Sequence, residues 1–143
     1  MSQLPIHFFL EGVAYKVKNK TILRKWLKDS ITNEGFRLKE LNFIFCDDDY
    51  LLSINQKYLK HNTFTDIITF DNSSKKHDIS GDIFISIDRI RENALTYNVS
   101  EQDELHRVMI HGTLHLLGYP DKGKADKTLM TARENYYLGK LSA

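Results

Sequence analysis

The stretch Val108-Met-Ile-His111-Gly112-Thr-Leu-His115-Leu-Leu-Gly118-Tyr-Pro-Asp121 restricts the possible folds more than any other part of the chain. From Val108 to Leu117 apolar residues fall on nearly every side of a helix, the pattern of a helix buried at the centre of a domain. Two histidines four apart share one face of it, one turn above the other. Gly118 is placed to take a left-handed conformation, end the helix and turn the chain back, bringing Asp121 towards the imidazoles. Burying two imidazoles in apolar surroundings is costly unless each finds a partner, and a metal ion supplies one for both. Two neutral nitrogens and one carboxylate make a three-ligand set for zinc, with a fourth position open to water or substrate, as in a metal-dependent hydrolase. The same donor set also occurs around non-haem iron(II).

The rest of the chain reads as elements that surround such a helix. Residues 6–17 are rich in β-branched and aromatic types and predict one or two short strands, with Gly12 as a turn. Thr21 is the expected cap of a helix to about residue 33, with Ile22, Leu23, Trp26, Leu27 and Ile31 along its apolar stripe. In the strand expected over Phe36–Cys46, Leu41, Phe43 and Phe45 alternate with Asn42, Ile44 and Cys46, so both faces are at least partly covered. Asp47-Asp48-Asp49 then precedes a helical pattern, and acidic residues there suit the free N–H groups of a helix start better than a metal. Strands follow at Thr63–Asp71 and Gly81–Ile87, with Asp88 as the expected cap of a helix to Tyr97 and Ser100 as the cap of the histidine helix. A last amphipathic helix over 124–141 carries Leu129, Met130, Tyr136, Tyr137 and Leu138. Strands and helices without regular alternation, repeats or a linker predict one α+β domain over residues 1–143, a small mixed sheet with helices packed on it.

Composition narrows the class further. A length of 143 residues, 41% hydrophobic and 27% charged, suits a soluble globular domain with a real core. No apolar run approaches the roughly 20 residues that span a bilayer, and the first residues lack a basic n-region and cleavage site. The single cysteine, Cys46, excludes an internal disulfide and fits a reducing compartment, so a cytoplasmic location is expected. A net charge of +1 does not mark a dedicated nucleic-acid binder, although lysines cluster locally at 16–28 and at Lys57 and Lys60. Isolated histidines (His7, His61, His77, His106) are read as ordinary surface or core residues.

The histidine helix resembles the His-Glu-x-x-His zinc helix of metalloproteases, a zincin-like feature, but Gly112 stands where that motif has its general-base glutamate. Gly112 therefore rules out a peptidase mechanism that uses that glutamate. A residue as small as glycine there suggests close approach of another backbone or of substrate.

His111-Gly112-x-Leu114-His115-Leu116-x-Gly118-Tyr119 resembles the signature of the YbeY family of rRNA maturation factors. Asn55-x-x-Tyr58, Thr65-Asp66-Ile67-Ile68-Thr69-Phe70, Gly81-Asp82-Ile83 and then Met130 and Glu134 are similar, in order, to further family motifs, so the likeness spans roughly residues 40–139. The resemblance implies a zinc-dependent, single-strand-specific endoribonuclease acting in maturation of the 3′ end of 16S rRNA and in ribosome biogenesis. It implies one Zn²⁺ per chain held by His111, His115 and Asp121, and ribosomal RNA or the ribosome as partner. Two departures stand out. Asp121 occupies the place of the family's third ligand histidine, and its extra negative charge lowers the field of the ion on a bound water. Leu59 stands where the family has an arginine after Asn-x-x-Tyr, which leaves phosphate contact to Lys57, Lys60 or His61 without the bidentate fork of arginine. The catalytic base is not evident, and either water or the RNA 2′-OH can be the attacking group. The rival reading is a non-catalytic, zinc-containing ribosome-assembly or RNA-binding factor, which Leu59 favours. A hydrolase of another substrate, such as a peptide, would need a base from elsewhere in the chain.

Overall fold

The computed structural model describes residues 4–59 and 65–142, apart from the side chains of Leu59 and Ser142. Along the chain run β1 (Ile6–Leu10), α1 (Lys20–Asn33), β2 (Arg37–Cys46), α2 (Asp48–Leu59), β3 (Ile67–Asp71), β4 (Asp78–Ser86), α3 (Ile87–Tyr97), α4 (Glu101–Leu116) and α5 (Lys124–Ser142). The strands form one sheet in the order β1-β2-β4-β3. β1 and β4 both run parallel to β2, and β3 lies antiparallel on β4 at the edge. This is an α+β fold with a mixed sheet, as the irregular order of elements predicts. No helix among the described residues is long and apolar enough to cross a membrane.

The period-2 pattern of β2 decides how the layers pack. Leu41, Phe43 and Phe45 are fully buried on one face, where Ile83 and Ile85 of β4 join them. Against this face lie Leu23, Leu27 and Ile31 of α1 and Met109, Ile110 and Leu114 of α4. Full burial of one such side chain contributes about 1.5–3 kcal/mol, so this layer holds most of the fold's stability. The opposite face is covered by α2, whose Leu51 packs with Cys46 and Ile68, flanked by Tyr50, Ile54, Phe70 and Phe84. Both faces of β2 are therefore covered, as Ile44 on its second face predicts.

Two glycines set how closely α4 sits on the sheet. A Cβ at Gly112 would come within 2.6 Å of Ile67 Cδ1 and 3.1 Å of Ile83 Cγ2. A Cβ at Gly81 would meet the Phe70 carbonyl at 2.7 Å and Leu116 Cδ1 at 3.0 Å. Gly112 thus admits the side chains of the sheet, not a second backbone or a substrate. A Cβ at position 112 already crowds Ile67 and Ile83, so a side chain as large as glutamate does not fit there without moving the sheet's side chains.

Several local expectations shift. α1 starts one residue before Thr21, and its N-cap is Asn19, in the left-handed region at φ 59° with no side-chain cap. Asparagine tolerates that conformation, and the Asn19 carbonyl already accepts from the Leu23 N–H. α3 is capped by Ser86, whose Oγ accepts from the Arg89 N–H, because the helix begins directly where β4 ends. Asp88 instead accepts from the Asp48 N–H, tying the starts of α2 and α3 together. The aspartate triplet acts as a helix start: Asp47 accepts from the Tyr50 N–H, and Asp48 pairs with Arg89 at 3.1 Å. On α5 the buried stripe is Met130, Glu134 and Tyr137, while Leu129 and Tyr136 are 50% and 44% exposed.

Candidate metal centre

Local sequence builds the site on one helix and the turn behind it. Ser100 Oγ accepts from the Asp103 N–H and starts α4, and three acidic residues in the first turn meet the positive end of its dipole. The helix runs through the core and ends at Gly118, whose φ of 104° is open to glycine without strain. The Gly118 N–H bonds to the His115 carbonyl at 3.0 Å and the Tyr119 N–H to the Leu114 carbonyl at 3.1 Å. That pair of bonds is the Schellman motif, and it reverses the chain within two residues. Asp121 consequently returns alongside the helix, with Oδ2 3.7 Å from His111 Nε2.

His111 and His115 lie edge to face with ring centroids 4.5 Å apart. One donor atom from each of His111, His115 and Asp121 lies within 4.8 Å of the other two. Two imidazoles and a carboxylate are donor types that a zinc ion takes, and these three residues together would hold one.

The bonds behind the histidines determine which nitrogens face the gap. His115 Nδ1 lies 2.9 Å from the Tyr119 carbonyl. A carbonyl only accepts, so Nδ1 carries the proton and Nε2 of the neutral ring carries a lone pair. His111 Nδ1 lies 2.6 Å from Glu134 Oε2, which holds that ring in the same tautomer. Histidine ligands are ordinarily oriented in this way by a carboxylate or carbonyl on the far nitrogen. Glu134 Oε1 accepts from Arg107 at 2.8 Å, so both oxygens of this buried carboxylate are engaged. Glu134 thereby orients His111 while Arg107 holds the carboxylate in place.

Burial penalises a charge on His111, yet Glu134, Asp121 and Asp66 outweigh that penalty and hold its pKa above the ordinary histidine value. His115 goes the other way, lowered by burial and by the neighbouring His111. Asp66, just before β3, has its carboxyl raised by burial against the pull of His111. It lines a cleft of about 810 Å³ together with Glu104, Arg107, His111 and Glu134.

The structure brings His111, His115 and Asp121 together. Lys57 lies in the last turn of α2, its Nζ 5.2 Å from the centre of the Tyr58 ring, and no described contact links it to the cluster. Lys60 and His61 lie outside the described residues, as does the side chain of Leu59. His7, His77 and His106 sit apart, against Phe9, Phe36 and Trp26. The roles of Glu134 and of the Tyr119 carbonyl are not foreseen from sequence. Glu134 had a visible signal, an acidic residue in the buried stripe between Met130 and Tyr137. A backbone acceptor has none.

The family model described as Endoribonuclease YbeY matches residues 11–142. A curated Endoribonuclease YbeY from Cytophaga hutchinsonii is 47% identical over 138 residues, 96% of either chain. One from Flavobacterium psychrophilum is 48% identical over 126 residues, 88% of this chain and 89% of its own. The solution structure of a Thermotoga maritima protein superposes with a TM-score of 0.66 at 26% identity, covering 95% of this chain and 88% of that one.

Proposed function

The chain belongs to the Endoribonuclease YbeY family, and on that premise we propose that it is a metal-dependent, single-strand-specific endoribonuclease acting in maturation of the 3′ end of 16S rRNA. The observation that carries this reading is the convergence of His111, His115 and Asp121 with both imidazoles pinned through Nδ1. The three residues would hold one Zn²⁺, a borderline-soft ion suited to two imidazoles and a carboxylate. Such an ion, when bound, supplies a Lewis acid for a phosphoryl oxygen and acidifies a water.

The chain's own residues do the positioning. Glu134 and the Tyr119 carbonyl engage Nδ1 of the two rings and leave Nε2 of each as the nitrogen free to meet an ion. Arg107 neutralises the Glu134 carboxylate and keeps it in place. Phosphate contact falls to Lys57, Lys60 and His61, which surround in sequence Leu59, the position where the family resemblance implies an arginine. The ribosome is the setting in which the RNA is met, and the whole of residues 1–143 acts as one domain.

Leu59 also supports a second reading, a non-catalytic assembly factor that keeps the ion as a structural element. Cleavage of a single-stranded RNA by the purified protein separates the two, run with and without chelator and beside His115→Ala. Chelator and substitution should each reduce cleavage to background. Equal cleavage in all three samples would mean a contaminant and would defeat the enzyme reading. A 2′,3′-cyclic phosphate on the product would identify the 2′-OH as attacking group and exclude direct attack by water.

A further inference from the structure

Glu34 lies far from the cluster in sequence, at the C-cap of α1, and has no part in the function described above. Its side chain is 10% exposed, and three donors from two other elements converge on it. Tyr119 Oη donates to Oε1 at 2.7 Å. Arg133 Nη2 donates to Oε2 at 2.6 Å, and the Tyr137 hydroxyl donates to the same oxygen. Asn33 donates in turn to the Tyr137 oxygen at 3.0 Å. A carboxylate taken from water at a helix end, where the dipole is negative, is unfavourable unless it is held this densely.

The residue that joins this cluster to the metal centre is Tyr119. Its side chain reaches Glu34, and its carbonyl takes the Nδ1 proton of His115. It also lies between Gly118, which turns the chain, and Asp121, the third donor. Among the described residues, the backbone–backbone hydrogen bonds of segment 118–121 are the two Schellman bonds at its start. Fixing the Tyr119 ring at its hydroxyl therefore fixes the plane of its peptide, the tautomer of His115 and the return path of Asp121. α5 thereby serves both histidines through adjacent residues, Glu134 directly on His111 and Arg133 through Glu34 and Tyr119 on His115.

We propose that Glu34, through Tyr119, is a positioning residue for the metal centre: it sets the Tyr119 carbonyl that orients His115 and the turn that presents Asp121. This rests on the metal-centre reading for its consequence, but the orientation of His115 is measurable without any ion. Tyr119→Phe removes only the hydroxyl and keeps the carbonyl, and Glu34→Gln replaces an acceptor with a donor facing three donors.

The test has two readouts, one on metal-free protein and one as that protein is refilled with zinc. Imidazole nitrogen NMR of the metal-free protein, above the histidine titration range, reports the tautomer of His115. Competition with a chromophoric chelator reports zinc affinity. In wild type the Nδ1–H form of His115 should dominate. Both variants should mix the tautomers and weaken zinc by about 10-fold, the lower end of what loss of an orienting partner does to a metal site. If either readout keeps its wild-type value in both variants, whatever happens to the melting temperature, Glu34 is only a structural tie and the proposal is overturned. If wild type binds no zinc, the metal-centre reading fails by itself, and the tautomer still decides whether Glu34 orients His115.

Discussion

Alanine substituted for glycine in two helices of this protein should move stability in opposite directions. In α4, Gly112→Ala places a methyl 2.6 Å from Ile67 Cδ1 and 3.1 Å from Ile83 Cγ2, against ordinary carbon contacts of about 3.5–4.0 Å. Ile67 is half-buried and its terminal methyl can rotate away. Ile83 is fully buried and β-branched, so it has nowhere to go. Overpacking of this kind costs about 1–3 kcal/mol, and the middle of that range applies where one neighbour yields and the other does not. Alanine regains about 1 kcal/mol in helix propensity, so the net effect is a loss of about 1 kcal/mol. In α5, a Cβ at Gly139 meets nothing within 4 Å, so Gly139→Ala should gain up to about 1 kcal/mol. The gap between the two variants is then about 2 kcal/mol, or roughly 6 °C in melting temperature for a chain of this length. Denaturant titration with unchanged m-values is the assay. If Gly112→Ala stabilises as much as Gly139→Ala, α4 does not lie as close to the sheet as described, and the placement of the histidines on it is wrong as well.

Three further outcomes follow from the same contacts. Glu134→Gln should weaken metal binding about 10- to 100-fold by loosening His111, measured by chelator competition; unchanged affinity would remove Glu134 from the site. Although burial opposes its charge, Glu34 is held below the ordinary glutamate value by Tyr137, Tyr119 and Arg133. Its stabilising contribution is therefore present at neutral pH and lost as pH falls below about 5, so the melting-temperature gap between wild type and Glu34→Gln should narrow from pH 7 to pH 3. A gap that stays constant over that range would contradict the charge assignment. Burial, with Asp47 and Asp48 nearby, pushes the Cys46 thiol up to about 12. It should therefore resist a thiol reagent at pH 8 until denaturant is added, and rapid labelling of the folded protein would show that α2 does not cover that face.

Much of the architecture was readable because it follows from periodicity. The alternation in β2 predicts a strand covered on both faces, and the apolar run to Leu117 predicts the central helix. The histidine pair and Gly118 together anticipate a chain that turns back and brings Asp121 alongside. What stayed hidden depends on partners distant in the chain. Ser86 caps α3 only because β4 ends directly before it, and no local pattern distinguishes it from Asp88. Leu129 and Tyr136 look like core residues on a helical wheel, but α5 turns the Met130–Glu134–Tyr137 stripe inward to serve His111 and Glu34. Gly112 marked a close approach without saying of what, since the answer lies in the side chains of β3 and β4.

The central claim is that His111, His115 and Asp121 form one metal site. Elemental analysis of protein purified without added metal tests it most directly, with wild type beside His111→Ala. Wild type should carry close to one divalent ion per chain, and the variant should lose it. Less than about half an ion per chain in wild type, with no further loss in the variant, would contradict the account.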